Sequence, residues 1–369
     1  MENTHIVIIG AGIVGLAIAE ELSKTKQDII LIEQNDRFGA ETSSRNSEVV
    51  HAGLYYLEGS LKAKLCVEGA RLTQEICSAH SIPFKKTGKI LVANSEEEQA
   101  KVHSIFELGT ANGAQDLELL TKAQIAEKEP AVRAVEGMFS PHTGIVDSHR
   151  LMAFFEYSAI QRGVTVVYNC EVTSIRKENG LTVTVRDSDG SEMELVSEIV
   201  INATGLKSDV LATSAGIDID AEDLRLKFCK GEYFGVSQKH NGILKHLIYP
   251  APTSISLGSH VVLKLDGNLK LGPNAHYVDS VDYSIDETNM MGLFKETVTF
   301  LPFIEYADLY PDMAGVRPKL QAAGESVRDF VIRDESSVGL SGLINLIGIE
   351  SPGLTAAPAI ARYVASLLG

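Results

Sequence analysis

Three glycines and one acid carry the first chemical signal in this chain of 369 residues: Gly10-Ala11-Gly12-Ile13-Val14-Gly15, then Glu33, 18 residues past the last of them. Glycine at 10 permits a tight turn, glycine at 12 lets the backbone come close to a ligand, and glycine at 15 lets a helix pack closely on a strand. Backbone N–H groups at the start of a helix, with the positive end of its dipole, hold an anion such as a pyrophosphate. A carboxylate at the end of the following strand accepts hydrogen bonds from an adenosine ribose and disfavours a 2′-phosphate. The spacing therefore points to NAD or FAD and away from NADP. A bare GxGxxG is also an ordinary strand-to-helix turn, and context decides between the two.

The elements that must position these groups are legible on both sides. An apolar run from Ile6 to Ile9 feeds the glycine turn. A helical pattern over 13–25 follows it (Leu16, Ala17, Ile18, Ala19, Leu22), and a second apolar run, Ile29 to Ile32, ends at Glu33. The polar segment Gln34 to Ser47 places Thr42, Ser43, Ser44, Asn46 and Ser47 next in line. Their hydroxyls and amides can bond phosphate or ribose oxygens, or can cap helices and shape a solvated loop, as Ser, Thr and Asn do in most turns. Leu61, Leu65, Leu72 and Ile76 share one helical face and predict a helix over 61–79.

Lys89 to Ala93 reads as a strand. Ser95-x-x-Glu98 reads as a capping box, and Thr121-x-x-Gln124 starts a short helix that must stop near Pro130. The 85–140 region reads as an insertion. The α/β pattern returns with a helix over 148–162 and strands at 164–168, 172–176 and 181–186. A further strand, Ile199 to Ile201, ends in Asn202-Ala203-Thr204-Gly205. From 216 to 310 strand-like runs dominate, with a helix near 287–300. The chain closes with strand Leu343 to Ile347, the turn Gly348-Ile349-Glu350-Ser351-Pro352-Gly353-Leu354-Thr355, and a helix bearing Ile360, Val364, Leu367 and Leu368 on one face. The expected class is α/β: a Rossmann-type dinucleotide domain from 1–84, 141–215 and 311–369, interleaved with a smaller α+β domain from 85–140 and 216–310 that carries a mixed or antiparallel sheet.

Composition narrows the function classes. Hydrophobic residues make up 44% and charged residues 22%, the balance of a globular protein. A net charge of −16 opposes nucleic acid or anionic lipid as a general partner. The four cysteines, Cys66, Cys77, Cys170 and Cys229, are far apart with no CxxC pair, which suits reduced thiols and neither a disulfide framework nor a metal site. No basic n-region or uncharged apolar span is visible, so a cytoplasmic protein is expected, with peripheral contact to the inner face of a membrane left open.

Three signals together favour FAD over NAD. These are the opening glycine turn, the small-residue turn Ala203-Thr204-Gly205 after a strand, and the C-terminal strand, glycine turn and helix, whose backbone donors suit the negative charge of a reduced flavin. At this point the sequence resembles FAD-dependent oxidoreductases of the D-amino-acid oxidase/glycine oxidase fold group, and within it L-2-hydroxyglutarate dehydrogenases. The resemblance covers essentially the whole chain. It rests on Thr42-Ser43-Ser44-Arg45-Asn46-Ser47-Glu48-Val49-Val50-His51-Ala52-Gly53-Leu54-Tyr55-Tyr56, Gly144-Ile145-Val146-Asp147, Lys230-Gly231-Glu232-Tyr233-Phe234, Gly272-Pro273-Asn274, Gly315-Val316-Arg317-Pro318-Lys319 and the turn from Gly348 to Thr355.

The resemblance implies oxidation of a 2-hydroxy acid to a 2-oxo acid, with electrons passing to an acceptor other than NAD: a quinone, oxygen or another carrier. The residues expected at the cofactor are Gly10, Gly12, Gly15, Glu33, Gln34, Thr42, Ser43, Ser44, Asn46, Ser47, Val172, Ala203, Thr204, Gly205, Gly348, Ser351, Pro352, Gly353, Leu354 and Thr355. Such a reaction needs a cation for the substrate carboxylate, a base for the hydroxyl proton, and a C2–H aimed at flavin N5. Arg317 is the expected clamp, since guanidinium offers a rigid bidentate fork; it also matches the Gly-x-Arg-Pro position that binds carboxylate in the broader group. Lys319 is a second cation suited to a second carboxylate. His51 is the first candidate base and His260 its competitor, because imidazole titrates near neutrality. Tyr55, Tyr233 and Tyr249 are expected to line the pocket. The same fold would also serve an amino-acid or amine oxidase, a glycerol-3-phosphate dehydrogenase, or a nucleotide-binding protein without redox chemistry, as in the Rab GDP-dissociation inhibitors.

Overall fold

The computed structural model describes residues 2–178, 180–252 and 260–369. Strand Glu2–Ile9 is the axis of an eight-stranded sheet. It is flanked in parallel by Ile29–Ile32 on one side and Glu192–Asn202 on the other. Thr165–Val167 continues the sheet beyond Ile29–Ile32, and Leu340–Ile347 pairs in parallel with the end of Glu192–Asn202. Strands of this kind are apolar on both faces because both faces are covered. On one face helices Ile13–Leu22, Leu61–Ala79, Ser148–Gln161 and Gly353–Leu367 share a core with Ile6, Ile8 and Ile344. On the other, Val7, Ile9 and Val200 pack with Leu211 and the ribbon Cys170–Glu178/Gly180–Asp187.

A second, nine-stranded sheet is antiparallel except where Leu247–Pro250 runs parallel to Lys89–Ala93. Its longest pairing joins Lys227–Val236 to Leu309–Lys319. The 85–140 stretch, expected as an insertion, supplies three of its strands: Lys89–Ala93, Glu118–Thr121 and Glu136–Ser140. A small sheet of Val49–Val50, Phe84–Lys85 and Gly144–Val146 completes the described strands. Both layers and the mixed second sheet agree with the α/β class read from the sequence.

Several expected bounds shift for physical reasons. The first helix ends at Leu22, where Ser23 closes it by donating its backbone N–H to Ala19 and its hydroxyl to Glu20. The strand expected at 199–201 begins at Glu192, because its first half pairs with Gly180–Asp187 and keeps polar residues on its exposed face. The helix near 287–300 is Asn289–Thr297. Leu309–Lys319 was not legible as a strand at all. Prolines 311 and 318 and Gly315 interrupt its pattern, and it tolerates them because it pairs on one side only, with an irregularity opposite Tyr233 and Phe234. It also carries residues 311–319 into the nine-stranded sheet. Thr121 and Gln124 form a full capping box, whereas Glu98 accepts the N–H of Asn94 and leaves Ser95 to cap its helix alone. All four cysteines are free and buried. Among the described residues no helix is long and apolar enough to cross a membrane.

Candidate active site

A cavity of about 740 Å³ runs between the two sheets, from Glu33 and Glu171 at one end to Arg317 and His260 at the other. Gly10, at φ +102°, sits so close to the Ala203 carbonyl that a Cβ would lie 2.7 Å from its oxygen. A Cβ on Gly15 would lie 1.9 Å from the Gly10 oxygen, so Gly15 makes the helix–strand contact and does not face the cavity. Gly12 does face it. Glu33 receives the Ala11 N–H at 2.8 Å and the Asn35 N–H at 2.9 Å, which fixes its carboxylate at the strand end.

The polar segment works partly as scaffold. Ser43 accepts the Ile13 N–H at 2.9 Å, Thr42 donates to the Val316 carbonyl at 3.1 Å, and the Asn46 side chain donates to the Ser43 carbonyl at 2.7 Å. Each of these residues still lines the cavity, as do Gln34 and Ser47. Ser44 does not; its hydroxyl donates to the Gly39 carbonyl. Val172, Ala203, Thr204 and Gly205 line the same wall, and Ser351, Pro352, Gly353, Leu354 and Thr355 line the opposite end. Gly348 lies outside the lining; at φ +73° it turns the chain beneath Leu320. Thr355 accepts the His51 backbone N–H at 3.0 Å, which ties the strand end bearing His51 to the first turn of the closing helix.

The six aromatic and basic candidates other than Lys319 converge. His51, His260, Arg317, Tyr55, Tyr233 and Tyr249 all face the cavity. His51 is only 8% exposed, and its Nδ1 is buried without a hydrogen-bond partner among the described residues. Burial, with Lys89 and His260 nearby, holds its pKa well below the usual imidazole value, so the ring is neutral at pH 7. His260 lies flat against Tyr249, ring centres 3.8 Å apart; the Gly258 and Ser259 that precede it fall outside the described residues. Arg317 projects from Leu309–Lys319, touching the Cys229 thiol at 3.8 Å, and no carboxylate among the described residues lies within ion-pair distance of it. Burial disfavours its charge, but Tyr233, Cys229 and Glu350 outweigh that and hold its pKa above the usual value.

Lys319 also lines the cavity, but its ammonium is committed: it lies 3.2 Å from Glu350, which Lys62 meets at 2.9 Å from the other side. Sequence reasoning did not find that cluster, although Glu350 stands in the quoted C-terminal turn. It also missed Gly231, opposite Gly315 in the paired strands, where a Cβ would lie 2.9 Å from the Arg317 guanidinium. The third omission is Lys89, which was read only as the start of a strand. It is 1% exposed, and its Nζ lies 4.5 Å from the Tyr55 ring centre and 4.7 Å from that of Tyr249, without a hydrogen-bond partner among the described residues. An apolar strand that opens on a lysine was the one available signal.

This donor set suits a long dianionic dinucleotide. The cavity is open where side chains would block a pyrophosphate, two helix starts reach it, and an acid closes the ribose end. The comparisons with known proteins agree. A family model described as FAD dependent oxidoreductase matches residues 5–367. The mitochondrial L-2-hydroxyglutarate dehydrogenase of Arabidopsis thaliana is 35% identical over 403 residues, covering 99% of this chain and 83% of that protein. A glycerol 3-phosphate dehydrogenase of Caloramator mitchellensis is 29% identical over 98% of this chain and 73% of its own length. Among solved structures, the dithionite-reduced L-alpha-glycerophosphate oxidase from Mycoplasma pneumoniae with FAD bound superposes with a TM-score of 0.88 at 29% identity, covering 100% of this chain and 95% of that one. With a family model spanning almost its entire length, this chain belongs to the FAD dependent oxidoreductase family.

Proposed function

We propose that this enzyme oxidises L-2-hydroxyglutarate to 2-oxoglutarate. The observation that carries the reading is the pairing of an Arg317 guanidinium, with no carboxylate among the described residues in ion-pair distance, with a neutral, buried His51 in one cavity. Full-length similarity to L-2-hydroxyglutarate dehydrogenases supports the choice of acid. Arg317 receives the C1 carboxylate through its two-pronged fork. His51 takes the hydroxyl proton as the C2–H bond breaks, its electron pair leaving as hydride. FAD, when held by the residues named below, would supply the two-electron acceptor for that hydride, and a quinone, oxygen or another carrier would take the electrons onward. Tyr55, Tyr233 and Tyr249 wall the reacting centre from water, and His260 faces the same space as a second polar group.

The cofactor would be held by the glycine turn and Glu33 at its adenosine end, by Gln34, Thr42, Ser43, Asn46, Ser47 and Val172 along its length, and by Ala203–Gly205 and Ser351–Thr355 nearer the flavin. On this reading 1–84, 141–215 and 320–369 form the cofactor domain, and 85–140 with 216–319 the substrate domain. The sheet membership of Leu309–Lys319 supports that boundary. Lys319 has a structural role here and does not bind the distal carboxylate.

A second reading, oxidation of glycerol 3-phosphate at its secondary hydroxyl, is favoured by the likeness to the glycerophosphate oxidase. Product analysis separates the two. Purified enzyme given an artificial electron acceptor should convert L-2-hydroxyglutarate to 2-oxoglutarate and leave glycerol 3-phosphate untouched. Dihydroxyacetone phosphate as the faster-formed product would replace the first reading with the second.

A further inference from the structure

Lys89 opens a central strand of the nine-stranded sheet, registered between Leu247 and Ser140. An ammonium buried here would ordinarily be matched by a carboxylate. Among the described residues none lies within ion-pair distance, and the charge is met only by the faces of Tyr55 and Tyr249. Those two rings face the cavity, whereas Lys89 lies behind them and does not. The groups around it come from every packed element: Tyr55 from the loop after Val49–Val50, Tyr249 from Leu247–Pro250, Cys66 from Leu61–Ala79, and His51. His51 in turn is faced by Lys89, by His260, and by the Thr355 hydroxyl on its backbone N–H, with Cys66 on its carbonyl. No acid is among these groups, so among the described residues none offsets the repulsion between the Lys89 ammonium and a proton on His51.

We propose that Lys89 is a positioning residue for the base: its buried ammonium, clamped behind Tyr55 and Tyr249, keeps His51 in the neutral form that accepts the substrate proton. The proposal rests on His51 being the base in the reaction above. Burial lowers the Lys89 pKa to about 7, with Cys66 opposing in part, so Lys89 is charged across the acidic range in which His51 would otherwise gain a proton. Repulsion between like charges in a buried site, at an effective dielectric constant of about 20, moves a pKa by roughly one unit or more. The conformational arrangement is economical, since the same two rings that wall the cavity also hold the cation in place.

The test is a histidine NMR titration of the FAD-loaded enzyme, labelled at imidazole carbon, with His51 assigned by the resonance lost in His51→Gln. In the wild-type enzyme His51 should titrate well below the ordinary imidazole value of 6.5. In Lys89→Met its titration should move up by about one pH unit, and Lys89→Arg should restore the wild-type position. Stopped-flow flavin reduction then links this to turnover: the acid limb of the rate should move up by the same amount in Lys89→Met, with the high-pH plateau falling no more than a few-fold. A purely structural lysine would lower the plateau and leave both titrations in place, which would overturn the proposal. An acid limb that persists in His51→Gln would remove His51 as the base, and this proposal with it. An acid limb lost in His51→Gln but unmoved in Lys89→Met would overturn the Lys89 role alone. Should Lys89→Met not retain FAD, Lys89→Gln serves the same comparison, and a wild-type His51 that titrates at or above the ordinary imidazole value of 6.5 would overturn the proposal without any variant.

Discussion

The Lys319 ammonium lies 3.2 Å from the buried Glu350 carboxylate, which Lys62 meets at 2.9 Å. A cation two residues from Arg317 is thereby tied to the turn that precedes the closing helix. Removing the acid would leave two ammonium groups beside Arg317 without an anion. Glu350→Gln should therefore destabilise the protein by about 3–5 kcal/mol, the usual loss when one partner of a buried ion pair is deleted. Urea denaturation of the FAD-loaded protein measures it.

The same cluster predicts a pH dependence. Burial alone would raise the Glu350 carboxyl, but Lys62, Lys319 and Arg317 outweigh it and hold its pKa below the usual 4.5. A depressed folded-state value stabilises the fold above the unfolded value and is lost as pH falls through the folded one. The cluster's contribution should thus be complete above about pH 4.5 and should disappear on further acidification. Acid-denaturation curves of wild type and Glu350→Gln should converge at low pH; a constant gap between them would assign the stabilisation to packing.

Gly15 and Gly12 should separate fold from ligand. A methyl on Gly15 collides with the Gly10 carbonyl, so Gly15→Ala should yield protein that purifies without flavin absorbance or fails to fold. Gly12→Ala meets only the Ser43 hydroxyl at 3.0 Å, and its methyl projects at the cavity wall. It should fold and bind FAD more weakly, which equilibrium dialysis would read directly.

Arg317→Ala should raise the KM for the hydroxy acid by roughly 100-fold, as expected for the loss of charge-assisted hydrogen bonds. FAD content should be unchanged. Gly231→Ala should raise KM by a smaller factor, about tenfold, because its methyl would press on the guanidinium. Unaltered steady-state kinetics in both variants would take Arg317 out of the substrate site.

His51→Ala should slow flavin reduction by about 10²- to 10⁴-fold in stopped flow, the usual range for a lost general base, with little change in substrate affinity.

The N-terminal strand, helix, strand and acid were legible because parallel strands are continuous apolar runs and the glycine spacing is fixed by backbone contacts. The bounds of Ile29–Ile32, Leu61–Ala79 and Lys89–Ala93 follow directly from local pattern. Leu309–Lys319 was not legible, since its two prolines argue against a strand and only long-range pairing with Lys227–Val236 makes it one. The site divides in the same way. His51 and Arg317 stood out by residue type and motif. The commitment of Lys319 to Glu350 spans 31 positions, and the burial of Lys89 depends on Tyr249, far along the chain, so neither has a local signature.

The most direct measurement is an anaerobic titration of the FAD-loaded enzyme with L-2-hydroxyglutarate, followed by flavin absorbance. The account predicts stoichiometric bleaching by the L form, with the D form, lactate, glycine and glycerol 3-phosphate inert. A flavin that stays oxidised with L-2-hydroxyglutarate and bleaches with any of the others would contradict it.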